Sequence, residues 1–427
     1  MSAAATSPAV SDRPTWELYS RCIHCGLCLN SCPTYRVLGL EMDSPRGRIY
    51  QVVQVESGRL PVEKSFVTHI DRCLDCRGCE TACPSGVEYG RIVERARAVI
   101  EREYRRPLLE RVLRQYFFGR VLPDFKKLAR WARWLRLYQR SSLQRMARAS
   151  GILQLLGMAE TEALAPAIED DFFFAELGKT FPAHGERRGR VALVAGCVAS
   201  VAFAELNRAT VRVLQANGVE VVVPAEQVCC GALGAHAGFR EQARAQARQN
   251  IRAMLSGEVE AIVTNAAGCG STLKEYWDLL EHDAEFAERA REFSSKVKDV
   301  TEYLAALGLR APQKKISARI TYQDACHLAH GQRVRSAPRE MLRAIGCELV
   351  EMPLSDQCCG SAGSYNLTEN ELSMKILDRK MESVTAVKPE IIATANPGCT
   401  LQLRAGCKRA GLKAEVKHVI ELLDAAY

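Results

Sequence analysis

CIHCGLCLNSCP at residues 22–33 and CLDCRGCETACP at residues 73–84 are two copies of one pattern, C-x2-C-x2-C-x3-C-P. A cubane [4Fe-4S] cluster takes one thiolate at each of four irons, and two-residue gaps let a tight loop wrap three of its corners. The fourth cysteine of each run, set before a proline, reaches the other cluster. This spacing assigns Cys22, Cys25, Cys28 and Cys83 to one cluster, and Cys73, Cys76, Cys79 and Cys32 to a second. Zinc is disfavoured, because its sites show separated C-x2-C pairs rather than a four-cysteine run. His24, inside the first loop, reads as a solvent-side residue and not a ligand.

Outward from these runs, the chain holds 18 cysteines among 427 residues. The first residues, MSAAATSPAVSDRP, offer no basic start and no apolar stretch. An export signal is therefore not expected, and the compartment is expected to be reducing. There, close cysteines serve as metal ligands or redox centres rather than as disulfide staples. The longest uncharged stretch, residues 191–204, is too short to span a bilayer. A cytoplasmic protein is expected, with a contact to the inner face of the membrane as an option.

That option comes from the charge distribution. Formal charge is +8 overall. Residues 102–148 carry 14 Lys or Arg against three acids, leaving 44 against 47 elsewhere, so all the basic excess sits in one segment. Residues 101–190 contain no cysteine and read as basic amphipathic helices, with Trp131, Trp134, Leu135 and Tyr138 separating apolar from basic faces. Pro107 and Pro123 break the stretch into pieces. Trp and Leu with Lys and Arg suit a peripheral membrane contact, and equally a helical docking surface. Nothing calls for a nucleic-acid partner.

From residue 190 onward, short apolar runs alternate with helical patterns. VALVA (191–195), VEVVV (219–223) and AIVT (261–264) read as buried strands; ITY (320–322), ELVEM (348–352) and IIATA (391–395) repeat the order. Cys197, Cys229, Cys230 and Cys269 map onto Cys326, Cys358, Cys359 and Cys399 with offsets of 129, 129, 129 and 130. The similar endings VKDVTEYL (297–304) and VKHVIELL (416–423) lie 119 apart, which places an insertion of about ten residues late in the first copy. Each cysteine follows a predicted strand, where open α/β sheets bind ligands, so the four thiols of each copy should converge as candidate ligands for further iron-sulfur. Cys347 and Cys407 have no counterparts and read as packing residues. His327 and His330 read as loop-fixing hydrogen-bond partners, with proton transfer as the rival role. His236 and Tyr365, at matching places after the two Cys-Cys-Gly loops, are candidates for a substrate-side or quinone-side position.

The expected fold is multidomain. A helical ferredoxin-like domain at 15–100 precedes a basic helical linker at 101–190, then two duplicated α/β, Rossmann-like cysteine-rich domains at 191–310 and 316–427.

RCIHCGLCLNSCPTYRVLGLEMDSPRGRIY, HIDRCLDCRGCETACPSGVEYGR, TYQDACHLAHGQRVR, CCGSAGSYNL and NPGCTLQL together resemble the iron-sulfur subunits of bacterial glycolate oxidases. The 40 residues between the cysteine runs resemble the helical ferredoxin domain of succinate dehydrogenase iron-sulfur subunits. The duplicated halves are similar to Cys-Cys-Gly domains of heterodisulfide reductase, lactate-utilisation proteins and anaerobic glycerol-3-phosphate dehydrogenase. In heterodisulfide reductase the pattern ends in C-x2-C; here Thr272 and Gln402 stand at those places, which argues against a five-thiolate non-cubane cluster.

Removing a hydride equivalent from a 2-hydroxy acid delivers two electrons, whereas a cubane accepts one, so a flavin normally stands between them. No G-x-G-x-x-G opens a helix here; GALGAHAG (231–238) has the wrong spacing. FAD is therefore expected on partner flavoprotein subunits. The resemblance implies an electron-transfer subunit that serves glycolate oxidation to glyoxylate and delivers to a quinone. The alternatives are a heterodisulfide-reductase-like thiol-disulfide enzyme and the iron-sulfur subunit of a D-lactate or glycerol-3-phosphate dehydrogenase. No catalytic residue is assigned.

Overall fold

The computed structural model describes residues 12–155, 159, 162 and 165–427; the amino-terminal stretch read for an export signal lies outside them up to residue 11. Both cysteine runs sit in loops of one helical unit. Ser44 caps the helix Pro45–Glu56 by accepting from Gly47 N, with Pro45 preset for the first turn. Ile49, Val52, Phe66, Ile70, Ile92, Val93 and Ile100 form the core between this helix, Lys64–Asp71 and Tyr89–Glu103. The two cysteine loops are local copies. His24 and Gly26 in the first, and Asp75 and Arg77 in the second, all take left-handed backbone at the same offset of 51. Glycine adopts that conformation freely and arginine does not, so something must hold Arg77 there.

What holds it is charge. Arg77, 2% exposed, donates to Asp75 at 2.8 Å, to Glu94 at 3.2 Å and to Glu275 at 2.9 Å, with Glu80 at 3.5 Å. Glu275 belongs to the first cysteine-rich half, so this one side chain fastens the second cysteine run to it. Along the helix Tyr89–Glu103, Arg95 pairs with Asp278 at 3.0 Å and Glu281 at 2.6 Å, and Arg91 pairs with Asp278. Arg240 answers from the other side, reaching Glu94 and Asp278, each at 3.3 Å.

The halves follow the predicted duplication. Strands β1 (Thr180–Phe181), β2 (Gly189–Leu193), β3 (Val219–Val222), β4 (Ala261–Thr264) and β5 (Val297–Asp299) form a sheet in the order β1-β3-β2-β4-β5. Strands β6 (Arg319–Gln323), β7 (Glu348–Leu349), β8 (Ile391–Thr394) and β9 (Glu415–His418) form the other, in the order β7-β6-β8-β9. All pairings are parallel except that of β1 with β3. The run read as ELVEM supplies only the two-residue β7. The similar endings begin as strands β5 and β9, which were not predicted. Each then enters a helix through a capping box, Asp299 with Glu302 and His418 with Glu421.

The halves pack reciprocally. The helix Ala204–Ala216 lies on Val419–Ala426, and Val300–Leu307 lies on Ser336–Ala344, around a shared core that includes Val191, Leu214, Ile320, Leu342 and Leu423. The predicted insertion is visible: the helix Ala267–Lys274 stops early and the short helices Tyr276–Leu279 and Ala287–Lys296 follow, where the second half runs one helix Pro397–Ala410. The inserted turn carries Asp278 and Glu281, and Glu275 stands at its start. The linker is helical as expected, at Leu108–Tyr116, Phe125–Arg140, Ser142–Ala149 and Ile152–Leu155, with a π-helical turn at Phe117–Val121. Phe118, Val121, Leu122 and Leu128 pack it onto the first half.

A Cβ added at Gly90 would stand 1.8 Å from the Arg77 guanidinium carbon, which four carboxylates hold in place. Gly90→Ala should cost about 1–3 kcal/mol from overpacking, read as a lowered thermal midpoint under anaerobic conditions. An unchanged midpoint would show that Arg77 is free to move.

Candidate iron-sulfur sites

Cysteines of the two runs come together in space. Cys22, Cys25, Cys28 and Cys83 line one open pocket, together with Arg46, Cys79, Pro84 and Tyr89. Cys22 has Cys83 and Cys25 as thiol neighbours. Cys79 has Cys76, Cys73 and Cys32, and Cys32 faces Cys76. His24 is exposed beside the first group, as expected of a solvent-side residue.

Burial pushes the Cys28 thiol up to about 11, and moves Cys32 and Cys79 upward by the same cause. Thiols so placed do not ionise on their own at neutral pH. They become thiolates when metal takes the place of their protons, and the donor set of four sulfurs per group fits a [4Fe-4S] cluster. When bound, such a cluster supplies one-electron transfer. The chain also sets its surroundings: Asp75 N and the Tyr89 hydroxyl donate to Cys73 Sγ at 3.3 and 3.5 Å, and the Thr34 hydroxyl lies 3.1 Å from Cys32 Sγ. Arg48, 1% exposed, places a cation beside Cys73 and Cys32.

In each half the four predicted thiols converge past the strand ends. Cys197 opens a helix after β2, and Cys229 Sγ lies 3.3 Å from Cys197 Sγ; Cys230 pairs with Cys229 and Cys269. In the second half Cys358 pairs with Cys326 and Cys359, and Cys359 with Cys399. Gly360 carries the left-handed turn after the pair, and a Cβ there would meet Ser373 O at 2.6 Å. Thr272 and Gln402 are buried and bring no fifth sulfur. Cys347 donates to Leu342 O and Cys407 packs beside Leu377 and Leu403, in keeping with packing roles.

One contact could not be read from spacing. Cys76, a member of the second run, also pairs with Cys358. Around it, His327 Nε2 lies 2.8 Å from Asp75 O, and His330 lies 2.9 Å from the Thr81 hydroxyl and 3.0 Å from Asp356 O. Both histidines therefore fix loops, and burial lowers His327 to about 4, leaving it neutral. A cleft of about 340 Å³ runs between the helix Pro33–Leu38 and the second half and reaches Cys358 and Lys380, with Arg36 and Arg379 at its walls.

His236 and Tyr365, the candidates for a substrate-side or quinone-side position, both lie against the ferredoxin unit. The Tyr365 hydroxyl is turned inward and donates to Arg72 O at 3.0 Å. His236 Nδ1 lies 2.9 Å from Glu94 and 3.1 Å from Asp75, in the seam between the ferredoxin unit and the first half.

Comparison with known proteins decides the family. A 4Fe-4S dicluster domain matches residues 18–87, and a cysteine-rich domain matches twice, at 191–274 and 320–404. A third model, the linker region of the glycolate oxidase iron-sulfur subunit, matches residues 109–165. The chain is 41% identical to a probable glycolate oxidase iron-sulfur subunit of Bacillus subtilis (strain 168), covering 94% of this chain and 92% of that one. It is 35% identical to the glycolate oxidase iron-sulfur subunit of Escherichia coli (strain K12), over 95% and 93%. The chain belongs to the family of glycolate oxidase iron-sulfur subunits.

As a member of that family it is an iron-sulfur electron-transfer protein. The linker match extends the resemblance into the stretch between 101 and 190, where none had been found in the sequence. Lactate utilization protein A of Oceanobacillus iheyensis is 29% identical, covering 55% of this chain and 96% of that protein. No helix among the described residues is long and apolar enough to cross a membrane.

The seam should be pH-sensitive. Burial lowers the His236 pKa, but Asp75 and Glu94 outweigh it and raise the group from 6.5 to about 9. A folded pKa above the unfolded one contributes stability that is complete below about 6.5 and is lost as pH rises through about 9. Thermal midpoints should therefore fall between pH 6.5 and 9 in the native protein, and fall less in His236→Gln. Parallel pH profiles for the two would remove His236 from the seam's charge balance.

Proposed function

We propose that this chain is the electron-relay subunit of a complex that oxidises glycolate to glyoxylate, taking electrons from FAD on partner flavoproteins and passing them to a quinone. The observation that carries the reading is the adjacency of three thiol groups: Cys28 of the first neighbours Cys32 of the second, and Cys76 of the second packs beside Cys358 of the second Cys-Cys-Gly site. The hydride chemistry belongs on the partner, because the chain's metal-ligating residues lie in sites suited to single electrons. The glycolate oxidase subunits match 94% and 95% of this chain and lactate utilization protein A only 55%, which favours glycolate over lactate as the complex's substrate.

On this reading one cluster is held by Cys22, Cys25, Cys28 and Cys83, and the other by Cys73, Cys76, Cys79 and Cys32. Further iron-sulfur groups occupy Cys197, Cys229, Cys230 and Cys269, and Cys326, Cys358, Cys359 and Cys399. The units are 15–100, 101–190, 191–310 and 316–427, and the parallel order of each half supports a Rossmann-like description. The acceptor docks at the cleft that reaches Cys358, whose apolar Val37 and Ile376 suit a quinone ring.

The linker supplies the membrane contact on the cytoplasmic side. Trp131, Trp134, Leu109 and Leu113 are more than half exposed, on the segment that holds the chain's basic excess. Trp131→Ala with Trp134→Ala should lower binding to vesicles containing anionic lipid several-fold; unchanged binding would leave the face to a flavoprotein.

Two measurements test the relay. Cys83→Ser should damage the cluster of the first run, seen by paramagnetic resonance of the reduced protein; loss of the second-run cluster alone would refute the crossed ligand sets. Glycolate added to the chain with its copurifying flavoprotein should bleach the broad iron-sulfur absorbance. Bleaching by D-lactate instead would reassign the substrate, and disulfide reduction by the chain alone would replace the relay with a thiol enzyme.

A further inference from the structure

The two Cys-Cys-Gly sites share a thiol arrangement but not an electrostatic one. Past the cysteine pairs the repeat offset becomes 130, the offset of Cys269 and Cys399. Buried Ala247, Asn250, Ile251 and Met254 of the helix Arg240–Leu255 then fall on buried Leu377, Lys380, Met381 and Val384 of Asn370–Val387. The position beside the first pair is a neutral amide. Asn250 accepts from Val228 N at 2.9 Å and donates to Cys229 O at 3.2 Å and to the Tyr276 hydroxyl at 3.1 Å. The matching position beside the second pair is an amine.

Lys380 is 3% exposed, and its Nζ donates to Leu354 O at 2.5 Å and Ser355 O at 3.4 Å. Carbonyl dipoles alone are poor compensation for a buried charge. The acids nearest it are already engaged: Arg339 holds both oxygens of Asp324 at 2.8 Å, and Arg335 lies 3.3 Å from Asp356. Among the described residues no carboxylate lies within ion-pair distance of Lys380. Lys380 lines the same cleft as Cys358, and the neighbouring sulfurs of Cys359 and Cys358, once ionised, favour its ammonium. A buried cation beside Cys358 and Cys359 fits a site that carries negative charge in use.

We propose that Lys380 makes the two sites unequal: it stabilises the reduced, more negative form of an iron-sulfur group held by Cys326, Cys358, Cys359 and Cys399, and so sets that site at a higher reduction potential than the site beside Asn250. This rests on the reading that the halves hold iron-sulfur groups. Reduction adds one electron and one negative charge, with no protein bond made or broken. Lys380 acts as a positioning charge and touches no substrate. It also marks the site adjoining Cys76 as the one favoured to hold an electron.

Redox titration of the anaerobic full-length chain with dithionite, followed by paramagnetic resonance, tests this. The second-site signal is identified by its loss in Cys399→Ser. Lys380→Asn, which installs the first-half residue, should move that signal to lower potential by at least a tenfold change in the reduction equilibrium, about 59 mV for one electron. Lys380→Arg should retain the native value, and the ferredoxin signals should stay in place. Lys380→Met, close in shape, gives the same readout if the Asn variant fails to accumulate. An unshifted second-site potential at native iron content overturns the inference and leaves the relay standing. A native protein with no reducible iron beyond the two ferredoxin clusters overturns both the inference and the assignment of iron-sulfur to the halves.

Discussion

The second cysteine run is pinned from two sides, and the positions of all four thiol sites follow from that. Arg77, buried and in left-handed backbone, spends its guanidinium on Asp75, Glu80 and Glu94 of its own unit and on Glu275 of the first half. From the second half His327 and His330 hold Asp75 O and Thr81. Buried ion pairs of this kind contribute modestly to net stability, but breaking one partner strands a charge at a cost of about 3–5 kcal/mol. The network therefore acts as a fixed geometry more than as a source of stability. It sets Cys76 against Cys358.

Duplication gave two similar halves, and the differences between them match different tasks. The first half carries the inserted turn with Asp278 and Glu281, which grips the arginines of the helix Tyr89–Glu103. The second half has no such turn; it offers histidines and Tyr365 to the cysteine loops and meets the second run directly at sulfur. One half docks the ferredoxin unit, and the other adjoins its thiols.

The metal-ligating pattern was legible in the sequence because cysteine spacing is short-range and chemically narrow. The duplication could be read from the cysteines, the insertion from the similar endings, and most strands from their apolar runs. Strands β5 and β9 were not legible because VKD and EVKH are short and each holds a single apolar residue among polar and charged ones, so neither carries an apolar run. The seam was not legible. Glu94 and His236 are 142 residues apart, and Arg77 and Glu275 are 198 apart, with no periodicity to link them. None of the motifs that carry the resemblance lies between residues 101 and 190, because amphipathic helices tolerate sequence change, yet residues 109–165 carry a family-specific match.

That the chain conducts electrons through iron-sulfur sites, and does not itself oxidise carbon, is tested most directly by its metal. Anaerobically prepared protein should be brown, hold at least about eight irons and eight acid-labile sulfides for the two amino-terminal sites, and show paramagnetic signals of interacting clusters on reduction. Colourless protein that holds zinc and stays silent on reduction would contradict the account.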